Sequence, residues 1–332
     1  MRTDVRPLLL IVLLTGCAER TPPTTAPAGR RAPVVAEASV RAHLEFLASD
    51  ALHGRQSASR DEQIAAEYVA AQFRRLGFAP PEGSGGSFVQ TIPFTRTPRG
   101  GQPQPGTTYN AVGILKGSDP SGDAILISAH LDHLGRRETA AGDDKIFNGA
   151  DDDASGTVAV IELAGALARR GQPKRTIIFA CYGSEELGGF GARHLRDRPP
   201  VPLEKIVANV QFEMIGRPDP AVPAKTLWLT GYERSDLGPM LASRGARLVQ
   251  DPHPAQKFFQ RSDNYTMALE GVVAHTVSSY GLHKEYHQPS DETRLIDYPH
   301  MTESIASMVE PLAWLANSAF KPAWKPGMRP TR

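Results

Sequence analysis

Cysteine is nearly missing from this chain, with two residues in 332, Cys17 and Cys181. Even in an oxidising compartment the pair offers little scope for a disulfide framework, and stability has to come from a packed core. A charge of one sign is missing as well. Lys and Arg number 37 against 36 Asp and Glu, a formal net charge of +1, and no basic run supplies the phosphate-binding stripe that nucleic acid requires. Nucleic acid is therefore excluded as a partner. No internal repeat is evident, and the apolar stretch at residues 8–14 is too short to span a bilayer as a stable helix.

That stretch has another meaning. A start carrying Arg2 and Arg6, the apolar run, and then Leu14-Thr15-Gly16-Cys17 follow the pattern of a bacterial lipoprotein signal. Cleavage would leave Cys17 as the first residue, and a multiply acylated cysteine carries enough buried methylenes for stable membrane anchoring. With Cys17 consumed, Cys181 is the only thiol left. Ala18 gives no signal for retention at an inner membrane, so the expected location is exported and lipid-anchored, at an outer membrane. The following segment is rich in Pro, Thr and Ala and poor in large apolar side chains, so it reads as a flexible tether. The expected organisation is a signal over 1–17, a tether over 18–36, a single domain over 37–320 and a tail over 321–332. Nothing in the sequence fixes the oligomeric state.

Within the domain, apolar spacing predicts helices over 40–52 and 62–76, then strands over 88–94 and 109–115 joined by a Pro/Gly-rich connection. Farther on, near-continuous apolar runs at 124–129, 176–182, 206–212 and 226–229 alternate with helical patterns at 156–170 and 187–196. A last helix is expected at 299–316. Continuous apolar strands interleaved with helices imply an α/β three-layer sandwich, with a mixed, centrally parallel sheet covered by helices on both faces.

Ligands in open α/β sheets bind beyond the carboxyl ends of the strands. Metal-capable side chains stand at three such ends: the first run enters His130-Leu131-Asp132, the second leads to Ser184-Glu185-Glu186, and the third stops at Glu213. Between the first two lies Asp151-Asp152-Asp153, directly before an apolar helix. Asp153 or Ser155 could cap that helix. Capping does not account for three adjacent carboxylates, whereas a divalent cation relieves their repulsion directly. Near the end, Tyr286-His287-Gln288-Pro289-Ser290-Asp291 places an imidazole four residues before a carboxylate that could take its second N–H.

In this order, His130-Leu131-Asp132, the stretch from Gly149 to Gly156, Ser184-Glu185-Glu186-Leu187-Gly188, Phe212-Glu213-Met214-Ile215-Gly216, Arg261-Ser262-Asp263 and the Tyr286-to-Asp291 run resemble the bacterial di-zinc aminopeptidases. The stretch from Leu47 to Arg55 resembles them too. The resemblance implies a zinc-exopeptidase fold and two zinc ions bridged by Asp152, with His130 and Glu213 on one ion and Glu186 and His287 on the other. It further implies that Asp132 orients His130 and that Glu185 is the general base, with peptides bearing a free N-terminus as substrates. Adjacent Glu185 and Glu186 in an extended segment would point opposite ways, one toward metal and one toward substrate. Pocket walls are expected from the segments 232–236 and 277–282.

The sequence departs from the family pattern at three places: Glu213 stands where aspartate is usual, Asn264 where histidine usually follows Ser-Asp, and Phe259 where some relatives have a tyrosine. Zinc could be replaced by cobalt or manganese in so oxygen-rich a set. A carboxypeptidase or other amidohydrolase on the same scaffold, a glutaminyl cyclase-like transferase and an inactive binding relative are the alternatives.

Overall fold

The computed structural model describes Met1 and residues 34–98 and 100–331. Cys17, the expected site of lipid attachment, and nearly all of the signal and tether expected over 1–36 lie outside the described residues. Among the described residues, no helix is long and apolar enough to cross a membrane.

Helix α1 (Glu37–Leu47) buries Val40, Leu44 and Leu47, a single stripe at helical spacing. It ends earlier than the sequence pattern suggests. His53, Gly54 and Arg55 all have positive φ, so the chain turns sharply after a short 3₁₀ turn, Asp50–Leu52. Helix α2 (Arg60–Arg75) is capped by Ser59, whose hydroxyl accepts from the amides of Asp61 and Glu62. Acidic residues in its first turn and basic ones in its last complement the helix dipole.

Strands β1 (Val89–Arg96) and β2 (Gln104–Leu115) form an antiparallel hairpin paired from Val89↔Ala111 to Arg96↔Gln104. Much of the Pro/Gly-rich connection is therefore strand, its Gly106 lying against the Phe94 ring, where a Cβ would approach to 2.4 Å. Next come β3 (Ala124–His130), the small hairpin β4 (Gly135–Arg136) and β5 (Ile146–Phe147), α3 (Gly156–Ala168), β6 (Thr176–Tyr182), α4 (Phe190–Asp197), β7 (Ile206–Phe212), β8 (Leu227–Leu229), α5 (Leu237–Ser243), β9 (Leu248–Gln250), α6 (Asn264–Leu269), β10 (Val273–Ser278) and α7 (Tyr298–Asn317).

Eight of these strands make one sheet in the order β1-β2-β6-β3-β7-β10-β8-β9. The four central strands, β6, β3, β7 and β10, run parallel, and the flanking pairs β2·β6 and β10·β8 are antiparallel. Helices α1, α2, α3, α5 and α7 share the larger core on one face, while α4 and α6 pack with the smaller core on the other. The expected three-layer, mixed and centrally parallel α/β architecture is the one observed.

Strand β10 is the central element that apolar patterning did not reveal. Its His275, Thr276 and Ser278 interrupt the run, yet all three are buried, because Ser235 and Thr230 bond His275, Asn264 bonds Thr276, and the Met214 carbonyl accepts from Ser278. The segment set apart as a tail packs on the body: the Trp324 indole donates to the Gly271 carbonyl and its ring lies against Phe259 and His275.

Candidate metal centre

Because β3, β6 and β7 are parallel neighbours, their carboxyl ends lie on one edge of the sheet, and His130, the Glu185/Glu186 pair and Glu213 arrive there together. The acidic turn between β5 and α3 completes the site. Each of its three aspartates has different partners. Asp151 accepts from the Gly216 amide at 2.7 Å and contacts His283 Nε2 at 2.9 Å. Asp153 accepts from the amides of His130, Gly156 and Met214, so it caps α3, as one expectation held, and also ties β3 and β7 together. Asp152 faces the imidazoles of His130 and His287: Oδ1 is 3.2 Å from His130 Nε2, and Oδ2 is 3.1 Å from His287 Nε2. The peptide bond between Asp152 and Asp153 is cis.

Glu186 joins the second group, with Oε1 3.2 Å from His287 Nε2. Despite this proximity, Asp152 Oδ2 and Glu186 Oε1 are buried without a hydrogen bond. Buried anionic oxygens gathered round an imidazole without hydrogen-bond partners fit the lining of a cation site. The donor set, imidazole nitrogen with carboxylate oxygen, suits zinc. Burial opposes protonation of His130, but the neighbouring Asp132 and Asp152 hold its imidazolium well above the ordinary range.

Glu213 stands immediately after β7. One of its oxygens, Oε2, accepts from the Ser262 hydroxyl and from Gln211 Nε2, so the longer arm at this position is tethered by the Ser of the Arg261-Ser262-Asp263 run. Burial raises the Glu213 carboxyl, with Asp152 adding and His130 opposing.

The Glu185/Glu186 segment is a turn, not the extended stretch expected, since Ser184 has φ 55° and the turn continues to Gly188. Two carboxylates from elsewhere fix it. Asp132 accepts from the amides of both Glu185 and Glu186, and Glu62 accepts from the Ser184 amide at 2.7 Å. Asp132 thus positions the glutamates through their backbone; toward His130 Nδ1 it offers its carbonyl at 3.2 Å, with its carboxylate at 3.6 Å. Burial pushes the Glu62 carboxyl up to about 8, with Asp132 adding. The Glu185 carboxyl is raised well above its ordinary value by burial; His130 opposes, while Asp263, Glu213 and Glu186 add. A carboxyl so placed is suited to holding a proton in transit.

Asp291 does not take the second N–H of His287. Its carboxylate accepts from the amides of Asp151 and Asp152 and so shapes the acidic turn. Arg55, which the sequence marks only as the end of the Leu47-to-Arg55 stretch, lies wholly buried beneath that turn. His133, one residue beyond the His130-Leu131-Asp132 run, has no exposed surface and sits 3.0 Å from Glu186 Oε1. The sequence carried a signal for it: a further histidine at the same strand end.

Glu213 lines a recess whose wall also includes Trp228, Phe258, Arg261, Tyr280 and Tyr286. Ser278 and Tyr280 of the expected 277–282 segment line it, while the 232–236 segment does not. Phe259 packs behind it against His275 and Trp324, which leaves Phe258 as the ring facing the recess.

The family model for peptidase family M28 matches residues 110–310. The chain belongs to this family. The match takes in every metal-capable position of this M28 chain from His130 to His287. Leupeptin-inactivating enzyme 1 of Streptomyces exfoliatus is 29% identical over 203 residues, 60% of this chain and 40% of that protein, so the M28 chain spans about two fifths of that relative's length. Among solved structures, a zinc aminopeptidase from Bacillus subtilis has a TM-score of 0.65 at 16% identity, covering 87% of this chain and 97% of that one. A glutaminyl cyclase from Porphyromonas gingivalis has a TM-score of 0.63 at 16% identity, covering 85% and 99%. These likenesses establish that the M28 fold is shared; the site itself has to argue the chemistry.

Proposed function

We propose that this M28 chain is an aminopeptidase that holds two zinc ions, one by His130, Asp152 and Glu213 and the other by Asp152, Glu186 and His287. The observation that carries the reading is Asp152, whose two oxygens face different imidazoles. Bound zinc would supply a water acidified toward neutral pH and a Lewis acid for the scissile carbonyl.

The chain's own residues do the rest. Glu185 accepts the proton of the attacking water and returns it to the departing amine, a transfer favoured by its raised carboxyl. Asp132 holds Glu185 and Glu186 in register through their amides. Glu213 attracts the protonated α-amine, and the adjoining recess, with Trp228, Phe258, Tyr280 and Tyr286 in its wall, suits an apolar first side chain. An amine anchored one residue from the scissile bond makes cleavage release a single N-terminal residue. Lipid attachment at Cys17, supported by the run Leu14-Thr15-Gly16-Cys17, would place this activity at a membrane surface.

The test is mass analysis of one peptide beginning with leucine, incubated free and N-acetylated, with and without a chelator. Expected is loss of leucine from the free peptide only, abolished by chelation. Loss from the C-terminus, or cyclisation of a glutamine-led peptide without hydrolysis, overturns the reading.

A further inference from the structure

Family resemblance accounts for two histidines at this centre, and a third stands among them. We infer that His133 is an additional ligand, through Nδ1, of the ion assigned to Asp152, Glu186 and His287. The inference rests on the metal reading above and adds a residue to it.

His133 follows β3 and has no exposed surface. Neither ring nitrogen makes a hydrogen bond. A buried polar group left without a partner is destabilising, so the ring needs an account. Nδ1 lies 3.0 Å from Glu186 Oε1 and 3.7 Å from Asp152 Oδ2, and those two oxygens are themselves without hydrogen bonds. The contacts are close but not aligned as N–H···O bonds. Donor atoms of His133, Asp152 and Glu186 all fall within 4.8 Å of one another. Tetrahedral ligands about 2.0–2.1 Å from zinc stand roughly 3.4 Å apart, and the observed separations bracket that spacing.

The ring is also fixed in place. The His133 amide donates to the Arg55 carbonyl at 3.0 Å, and Gly149, with φ +56°, lies so close that a Cβ there would come within 2.5 Å of His133 Cγ. On the other side the ring meets His287 edge to face at 5.7 Å. Only glycine at 149 gives both the left-handed turn and this approach. His133 is thus held against the carboxylates of Asp152 and Glu186 by the fold itself. The two subsites become unequal: one has His133, His287, Glu186 and Asp152, the other His130, Glu213 and Asp152. The first should load first and release last.

Zinc binding to the full chain, measured by chelator competition, and imidazole counting by X-ray absorption at one equivalent of zinc test this. Expected for the parent are two equivalents bound, the tighter with two imidazoles. His133→Asn should weaken the tighter equivalent at least ~10²-fold, lower its imidazole count by one and leave the weaker equivalent within about threefold. His133→Phe keeps the ring volume and should behave alike, and the urea midpoints of the metal-free proteins check that both variants fold. One imidazole in the parent's tight site, or unchanged tight binding in folded variants, overturns the His133 assignment alone. A parent that binds no zinc overturns the metal reading with it.

Discussion

Arg55 tests how the acidic turn is held. It is wholly buried, and its guanidinium donates to four carbonyls: Leu131 at 2.8 Å, Leu47 at 2.5 Å, Asn148 at 2.7 Å and Gly149 at 2.9 Å. These belong to the end of α1, the segment after β3 and the lead into the acidic turn, so one side chain joins three pieces of chain. Burial lowers its pKa to about 10, while Asp132, Asp291, Asp153 and Asp152 oppose that shift; it is charged at neutral pH and is a fixed counter-charge beneath the carboxylates. Arg55→Lys keeps the charge but replaces a planar fork by one nitrogen with three donors. At least one carbonyl, and in practice about two, would be left unpaired at about 1–3 kcal/mol each, giving a loss of about 2–6 kcal/mol. At typical denaturant slopes this lowers the urea midpoint by roughly 1 M. Arg55→Met removes the charge as well and should cost more than ~4 kcal/mol, comparable with the whole stability of a modest domain. The loss should be larger in chelator-treated than in zinc-loaded protein, because then neither cation faces the aspartates. A midpoint shift below about 0.3 M for Arg55→Lys, or equal losses with and without zinc, refutes the reasoning.

Glu185→Gln should keep both zinc equivalents and lose at least ~10²-fold in turnover, the scale of a missing general base, whereas Glu186→Gln should lose zinc affinity first; metal stoichiometry beside turnover decides, and the reverse pattern exchanges their roles. His275, fully buried between Ser235 and Thr230, has its pKa lowered to about 4 by burial. The unfolded chain then binds a proton below the ordinary 6.5 that the native state refuses, so this contribution is intact above that pH and is lost as pH falls toward 4. Between pH 7 and 5 the difference is about 2 kcal/mol, and urea midpoints of metal-free His275→Gln should fall less steeply with pH than the parent's; parallel curves would count against the buried neutral ring. Cys17→Ser should abolish incorporation of labelled fatty acid, and undiminished label in the variant would remove the lipid anchor from the account.

Legibility from sequence followed the physics of each element. Strands β6 and β7 could be read to the residue because their runs are mostly apolar and buried, with Asn209 and Gln211 the polar breaks in β7, and the ligand candidates could be read because they stand at the ends of such runs. What escaped depends on contacts between distant segments. Strand β10 looks polar until Ser235, Thr230 and Asn264 are brought beside it. Asp291 resembles a histidine's partner by spacing, but the fold turns its carboxylate to the amides of Asp151 and Asp152. Glu62 and Arg55 carry no local mark of function, since each acts on backbone far away in sequence. His133 was in plain sight, and only its missing hydrogen bonds single it out.

The three consecutive aspartates hold a consequence for comparison among relatives. Written as letters they are identical, yet Asp151 braces a glycine amide and His283, Asp152 alone looks into the site, and Asp153 fastens three amides from different elements. A pairwise alignment slipped by one column here would lose almost no score and would move the bridging role proposed for Asp152 onto a residue whose carboxylate is turned elsewhere. Register at this point is recovered from neighbours of fixed geometry, Gly149 before the run and Ser155-Gly156 after it, so those small residues are the anchors on which any transfer of function to or from this chain depends.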